Sequence, residues 1–173
     1  MRRSMLCATV SGALISACSP AFDWREVQPE GSGVAVLFPC PPKRQARAAA
    51  LAGAATPMTL HSCSADGLNF AFSHADLGDP SRVSPALRQM AAALASNLQA
   101  REVRSAALKI AGMTPSPEAR RLWIAGSLPD GTAMQEQAAL FVRGTRVYQA
   151  AVLGTRVDEA AAGVFFDSLR LSP

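Results

Sequence analysis

The side chains best suited to metal or thiol chemistry are Cys40, His61, Cys63 and His74. Thiolate and imidazole are the donors zinc prefers, and His61 and Cys63, two residues apart, share one face of an extended strand. The spacing is poor for a metal site: there is no CxxC or HxxxH pair, and alternation along the following strand sets His74 with Phe70 and Phe72. A Cys63–His61 pair could also serve as nucleophile and base, the core of a hydrolase, but only with a free thiol. The fate of the thiols turns on the compartment in which the chain folds.

The N-terminus addresses the compartment. Met1-Arg2-Arg3 is a positive n-region, and Met5 to Ala17 is an apolar run of about 13 residues, in the range of a signal-peptide core and short of the ~20 residues a spanning helix needs. The run ends in Leu14-Ile15-Ser16-Ala17-Cys18. An aliphatic residue, small residues and a cysteine in that order resemble the lipobox of bacterial lipoproteins. The resemblance implies cleavage before Cys18, acylation of its thiol by diacylglycerol and palmitate-type chains, and stable attachment through several chains. Ser19, rather than Asp, follows Cys18; by the same resemblance this implies an outer-membrane location facing the periplasm.

With residues 1–17 removed and Cys18 acylated, Cys40 and Cys63 are the two cysteines left in an oxidising space, which favours a disulfide between them. It would close a loop of about 24 residues and add roughly 3 kcal/mol. A zinc set of Cys40, His61, Cys63 and His74 is the competing reading. The chain lacks GxSxG, HExxH, Walker A and dinucleotide fingerprints. Gly31-Ser32-Gly33 is too short for a phosphate loop, and Asp167-Ser168 reads as a packing feature rather than a dyad. The 17 basic and 13 acidic residues give +4, and loss of Arg2 and Arg3 halves that excess, so no nucleic-acid partner is expected. Arg120-Arg121 and Arg143/Arg146 read as solvated surface rather than a lipid-binding patch. An apolar fraction of 49% with 17% charged residues fits a folded domain rather than a disordered chain.

The elements that hold these residues follow from periodicity. Residues 18–33 read as a lipidated N-terminus and tether, whose alternating Phe22, Trp24 and Val27 favour docking on the domain over Trp24 entering the headgroup layer. Residues 34–173 read as one domain. Val34 to Phe38 is a β-rich run, Arg44 to Leu51 a weaker one, and Gly53 to Pro57 a turn. Met58 to Ala65 and Leu68 to Ala75 flank the hairpin signal Asp66-Gly67. On the second of these strands the small Asn69, Ala71, Ser73 and Ala75 lie opposite the aromatic face, leaving room for a helix to approach. Leu87, Met90, Ala91, Leu94 and Leu98 recur at helical spacing and predict a helix over 84–103, capped by Ser84 with Pro85 in its first turn. Leu108 to Gly112 and Arg120 to Leu128 are expected strands, with a turn at Pro129–Thr132. Ala133 to Val142 and Val147 to Leu153 form a second hairpin, and 158–169 a closing helix. The second strand of that hairpin is apolar on both sides, so both its faces are covered.

Phe38-Pro39-Cys40-Pro41 after a first strand, then hairpins, one central helix, more hairpins and the closing Tyr148-Gln149-Ala150 … Phe165-Phe166-Asp167-Ser168-Leu169 resemble the PsbP-like superfamily. Cys40 stands where that family commonly has glycine. The resemblance implies an α+β fold: an α/β/α sandwich with a central, mostly antiparallel sheet and two main helices. It carries no shared active site, so the expectation is a non-enzymatic binding or assembly module without a cofactor. Its partners would be the membrane, through Cys18, and an envelope protein. The alternatives are a periplasmic small-ligand carrier, or a hydrolase or metal enzyme using His61 and His74.

Overall fold

The computed structural model describes residues 21–172; the basic n-region, the apolar run and Cys18 lie outside them. Ten strands fall into two sheets. The larger has seven strands, all antiparallel to their neighbours, in the order β3-β4-β5-β9-β8-β7-β6. They are β3 (Lys43–Leu51), β4 (Ala54–Ala65), β5 (Leu68–Asp76), β6 (Glu102–Ala107), β7 (Arg120–Ser127), β8 (Ala133–Arg143) and β9 (Arg146–Gly154). The smaller sheet sets β2 (Val34–Phe38) between β1 (Arg25–Val27) and β10 (Arg170–Leu171), again antiparallel. Two α-helices complete the described fold: α1 (Val83–Asn97) and α2 (Glu159–Asp167). Among the described residues no helix is long and apolar enough to cross a membrane.

Period-2 alternation divides the large sheet's side chains into two cores. Phe70, Phe72, Tyr148, Ala150 and Val152 point to one face, where they pack with Val34, Val36 and Phe38 of β2 and Phe165 of α2. The opposite face carries Ala138, Leu140, Val142, Val147 and Ala151, which meet Leu87, Met90 and Leu94 of α1. Strand β9 contributes to both clusters, as its two apolar faces require. The Tyr148 hydroxyl, buried in the aromatic core, is satisfied: it donates to the Ser32 carbonyl at 2.8 Å. Ser168 fills the packing role expected of it. Its Oγ donates to Phe165 O at 2.6 Å and accepts the Leu37 N–H at 2.8 Å, joining α2 to β2.

The N-terminal segment is docked, as its alternation predicts. Strand β1 pairs with β2 from Arg25↔Phe38 to Val27↔Val36, and Trp24 meets Phe70 edge-on at 5.9 Å. The expected turn at Asp66-Gly67 is present with both residues left-handed (φ 50° and 72°), the geometry of a tight hairpin.

Four local expectations are corrected. The turn expected over 53–57 is only Ala52-Gly53, and Pro57 lies inside β4; pairing of β4 with β5 begins at Met58↔Ala75, so no strand on that side loses a bond to the missing N–H. The helix expected over 84–103 ends at Asn97, because Gln99 turns left-handed (φ 44°) and the chain re-enters the sheet as β6. Ser84 does not cap it. Asp79 instead caps a preceding single turn, Pro80–Arg82, by accepting the Ser81 N–H at 2.8 Å. Leu108 to Gly112 is loop, not strand, and β10 after α2 is an added strand held by its pairing with β2.

Candidate functional site

Cys40 and Cys63 are joined in a disulfide across 23 residues. It ties the segment after β2 to the C-terminal end of β4, and so the small sheet to the large one. The zinc set is thereby dismantled, since both thiols are consumed, and a thiol nucleophile with them. Among the described residues no group of three or more His, Cys, Asp and Glu could hold a metal. Replacing both cysteines by alanine should cost about 3 kcal/mol of unfolding free energy, the chain entropy regained by a loop of this length. Denaturant titration of the double variant against the oxidised protein reads it, and equal midpoints would contradict it.

The two histidines come together in a way that alternation along single strands does not show. Register places His61 opposite Phe72 and Thr59 opposite His74, so both rings lie on the aromatic face with Cys63. Both are buried, and His61 Nδ1 and His74 Nε2 have no hydrogen-bond partner among the described residues. Burial, then His61, Arg146 and Arg44, lower the His74 pKa to about 4; burial and Arg44 lower that of His61. The charges acting on the pair are cationic, so among the described residues no carboxylate orients either ring as a general base would require.

The arginines expected as solvated surface are engaged within the chain. Arg120 pairs with Glu118 at 2.5 Å and Arg146 with Asp76 at 3.2 Å. Arg121 lies over the Phe166 ring, donates to Gln137 Oε1 at 2.6 Å, and has its pKa lowered to about 10, chiefly by burial. Lying on the face covered by α2, it joins that helix to β7.

The hollow with chemistry in it lies on the opposite face. At the middle of that face β5 and β9 carry the small Ala71, Ser73 and Ala151 beside Gln149, while α1 packs mainly over β8 and β9 and touches β3 and β7 less. A groove of about 380 Å³ is left between helix and sheet. Met58 and Leu60 of β4 floor it, and Met90 and Leu94 of α1 wall it. Its far rim is the β3–β4 turn, fastened to the helix by Gln89, which accepts the Ala52 N–H and donates to Ala50 O, both at 2.8 Å. Arg82 adds bonds to Leu51 O at 2.7 Å and Thr56 Oγ1 at 3.0 Å. The small residues that sequence alone reads as room for a helix thus become a floor the helix only partly covers. A larger hollow of about 610 Å³ lies between β6 and the loop 108–119, but every polar residue lining it is at least partly exposed.

Glu136 also lines the groove, and sequence reading passes over it. It stands in alternation with Ala138, Leu140 and Val142 as the sole charge among the β8 side chains on that face, which is the signal that marks it. It is 8% exposed, and burial raises its carboxyl pKa to about 7. A raised folded-state pKa means that the folded protein holds the proton more tightly than the unfolded chain. Stability attached to that proton is complete below the ordinary value of 4.5 and is lost as pH rises through about 7. Glu136→Gln should therefore match the parent at pH 4 and exceed it at pH 8 by up to about 3 kcal/mol, the worth of a shift of that size. Paired chemical melts at the two pH values measure this; the histidine contributions cancel in the difference. A variant no more stable than the parent at pH 8 would show that the carboxyl carries no burial penalty.

No protein-family model matches this chain, and no curated protein matches it.

Proposed function

We propose that the protein is a non-enzymatic binding module of the bacterial envelope, held to the outer membrane by acyl chains on Cys18, that receives a small molecule in the groove under α1. The fold is read as an α/β/α sandwich of the PsbP-like kind, with α1 as one outer layer and α2 with the small sheet as the other. The observation that carries the binding role is the groove: an open, largely apolar hollow walled by a helix, floored by Met58, Leu60 and the small Ala71 and Ala151, and containing two buried polar residues, Ser73 and Glu136. Ligand sites are commonly concave, apolar and equipped with few polar groups. Anchoring is supported by the charge, length and box of residues 1–18. Docking of Phe22 and Trp24 leaves three residues between Cys18 and the domain, a reach of at most about 14 Å from Cys18 to Phe22, so the domain would sit close to the lipid surface.

The test uses the mature chain exported behind a non-lipoprotein signal, so that it is purified without detergent, and a neutral apolar dye whose fluorescence rises out of water. Saturable uptake is expected. Ala71→Phe, which fills the floor, should abolish it while the thermal transition stays cooperative. Absence of saturable uptake, or uptake indifferent to Ala71→Phe, would refute the groove as a binding site.

A further inference from the structure

The groove's two charged residues sit at opposite ends and at opposite depths. Glu136 belongs to the cross-strand row Glu136–Leu153–Asn69, and Arg47 to the row Arg47–Met58–Ala75–Val147. Two further rows on the same face, through Ala151 and through Gln149, separate them, roughly 20 Å along the strands. Arg47 is exposed on the edge strand and cannot reach the carboxyl, whereas Glu136 is buried. Among the described residues no donor hydrogen-bonds the Glu136 carboxyl and no cation pairs with it. Burial is the only influence that shifts its pKa.

An unpartnered buried carboxyl is costly to the protein, and it selects among ligands. A purely apolar occupant would seal the carboxyl away from water with nothing in return. An anionic head would be repelled. An ammonium head brings three donors and the opposite charge, and its alkyl body suits Met58, Leu60, Met90 and Leu94.

We propose that the groove takes an organic cation, a primary ammonium carried on an apolar body, with the ammonium seated against the Glu136 carboxylate and the body lying over Ala71 and Ala151 beneath α1. This rests on the groove being the binding site, and the test separates the two claims.

Calorimetric titration of the detergent-free mature chain at pH 8 compares n-hexylammonium with 1-hexanol and hexanoate, ligands of one length that differ in the head. The ammonium should bind at least about tenfold more tightly than the alcohol, a conservative figure for one charge-assisted hydrogen bond, and hexanoate should bind most weakly. Glu136→Gln should erase the preference of ammonium over alcohol. Arg47→Gln should leave that preference in place, because the proposal gives the distant guanidinium no part in it. Equal or tighter binding of the alcohol, no binding of the ammonium, or a preference that survives Glu136→Gln would each overturn the proposal. If the preference is absent but dye uptake still depends on Ala71, only the choice of ligand fails; if dye uptake fails too, the binding reading fails with it.

Discussion

Changing Cys18 to serine should abolish incorporation of labelled palmitate and remove the mature protein from the outer-membrane fraction. Under the proposed lipidation the change is all or none, because a hydroxyl does not replace the thiol that would accept diacylglycerol. Two or three acyl chains on Cys18 would be sufficient for stable attachment, whereas a single chain binds only marginally. The fold gives the anchor added meaning. Trp24 is packed against Phe22 and Phe70 rather than projecting from the domain, so the proposed attachment draws nothing from that ring. Lipid labelling followed by membrane fractionation reads both effects. Palmitate that persists on the serine variant would refute the assignment.

Gly126→Ala should destabilise the fold by about 3 kcal/mol, in the upper part of the range for overpacking with a lost hydrogen bond. A Cβ at Gly126 would collide with the Leu98 carbonyl and crowd the Cα of Ala100. Those atoms are backbone at the end of α1 and cannot swing aside as a side-chain tip would. The same junction carries the Ser127 N–H to Leu98 O bond at 2.6 Å and the Arg101 N–H to Ala125 O bond at 2.9 Å. It is the point where the chain leaves α1 and starts the edge strand β6. Pushing the helix end off the sheet loosens one wall of the groove as well as the core. Gly163 in α2 supplies the opposite sign: nothing lies within 4 Å of its Cβ position, so Gly163→Ala should stabilise by up to about 1 kcal/mol through helix propensity. In thermal melts the first variant should fall by roughly 10 °C and the second should rise slightly. A Gly126→Ala protein melting with the parent would contradict the close approach.

The parts of this fold that are legible in the sequence are those whose two faces differ. Strands β5 and β9 announce themselves because Phe70 and Phe72 alternate with Ala71 and Ser73, and Tyr148 and Ala150 with Gln149 and Ala151. Edge strand β6 is illegible because all six of its residues are exposed and no apolar period marks it; at two residues, β10 exists only through its pairing with β2. The shared face of His61 and His74 was within reach. A two-residue turn at Asp66-Gly67 pairs Ala65 with Leu68, and counting back sets His61 opposite Phe72. Alternation along each strand separately does not make that connection. The disulfide followed from compartment and elimination. The groove did not follow, because small residues on a sheet face admit two outcomes, a helix seated on them or a gap beside it. Which one occurs is set by the fit of Leu98 over Gly126 and by the reach of Gln89 to the β3–β4 turn, both long-range contacts.

Methionine methyl NMR tests binding in the groove at the site itself. Met58 and Met90 line the groove, while Met113 lines the hollow beside β6. With methyl-labelled methionine in the mature chain and n-hexylammonium added in steps, the Met58 and Met90 signals should move together along one saturable curve while Met113 stays in place. Movement of Met113 with Met58 and Met90 unmoved would put the ligand in the other hollow and contradict the account.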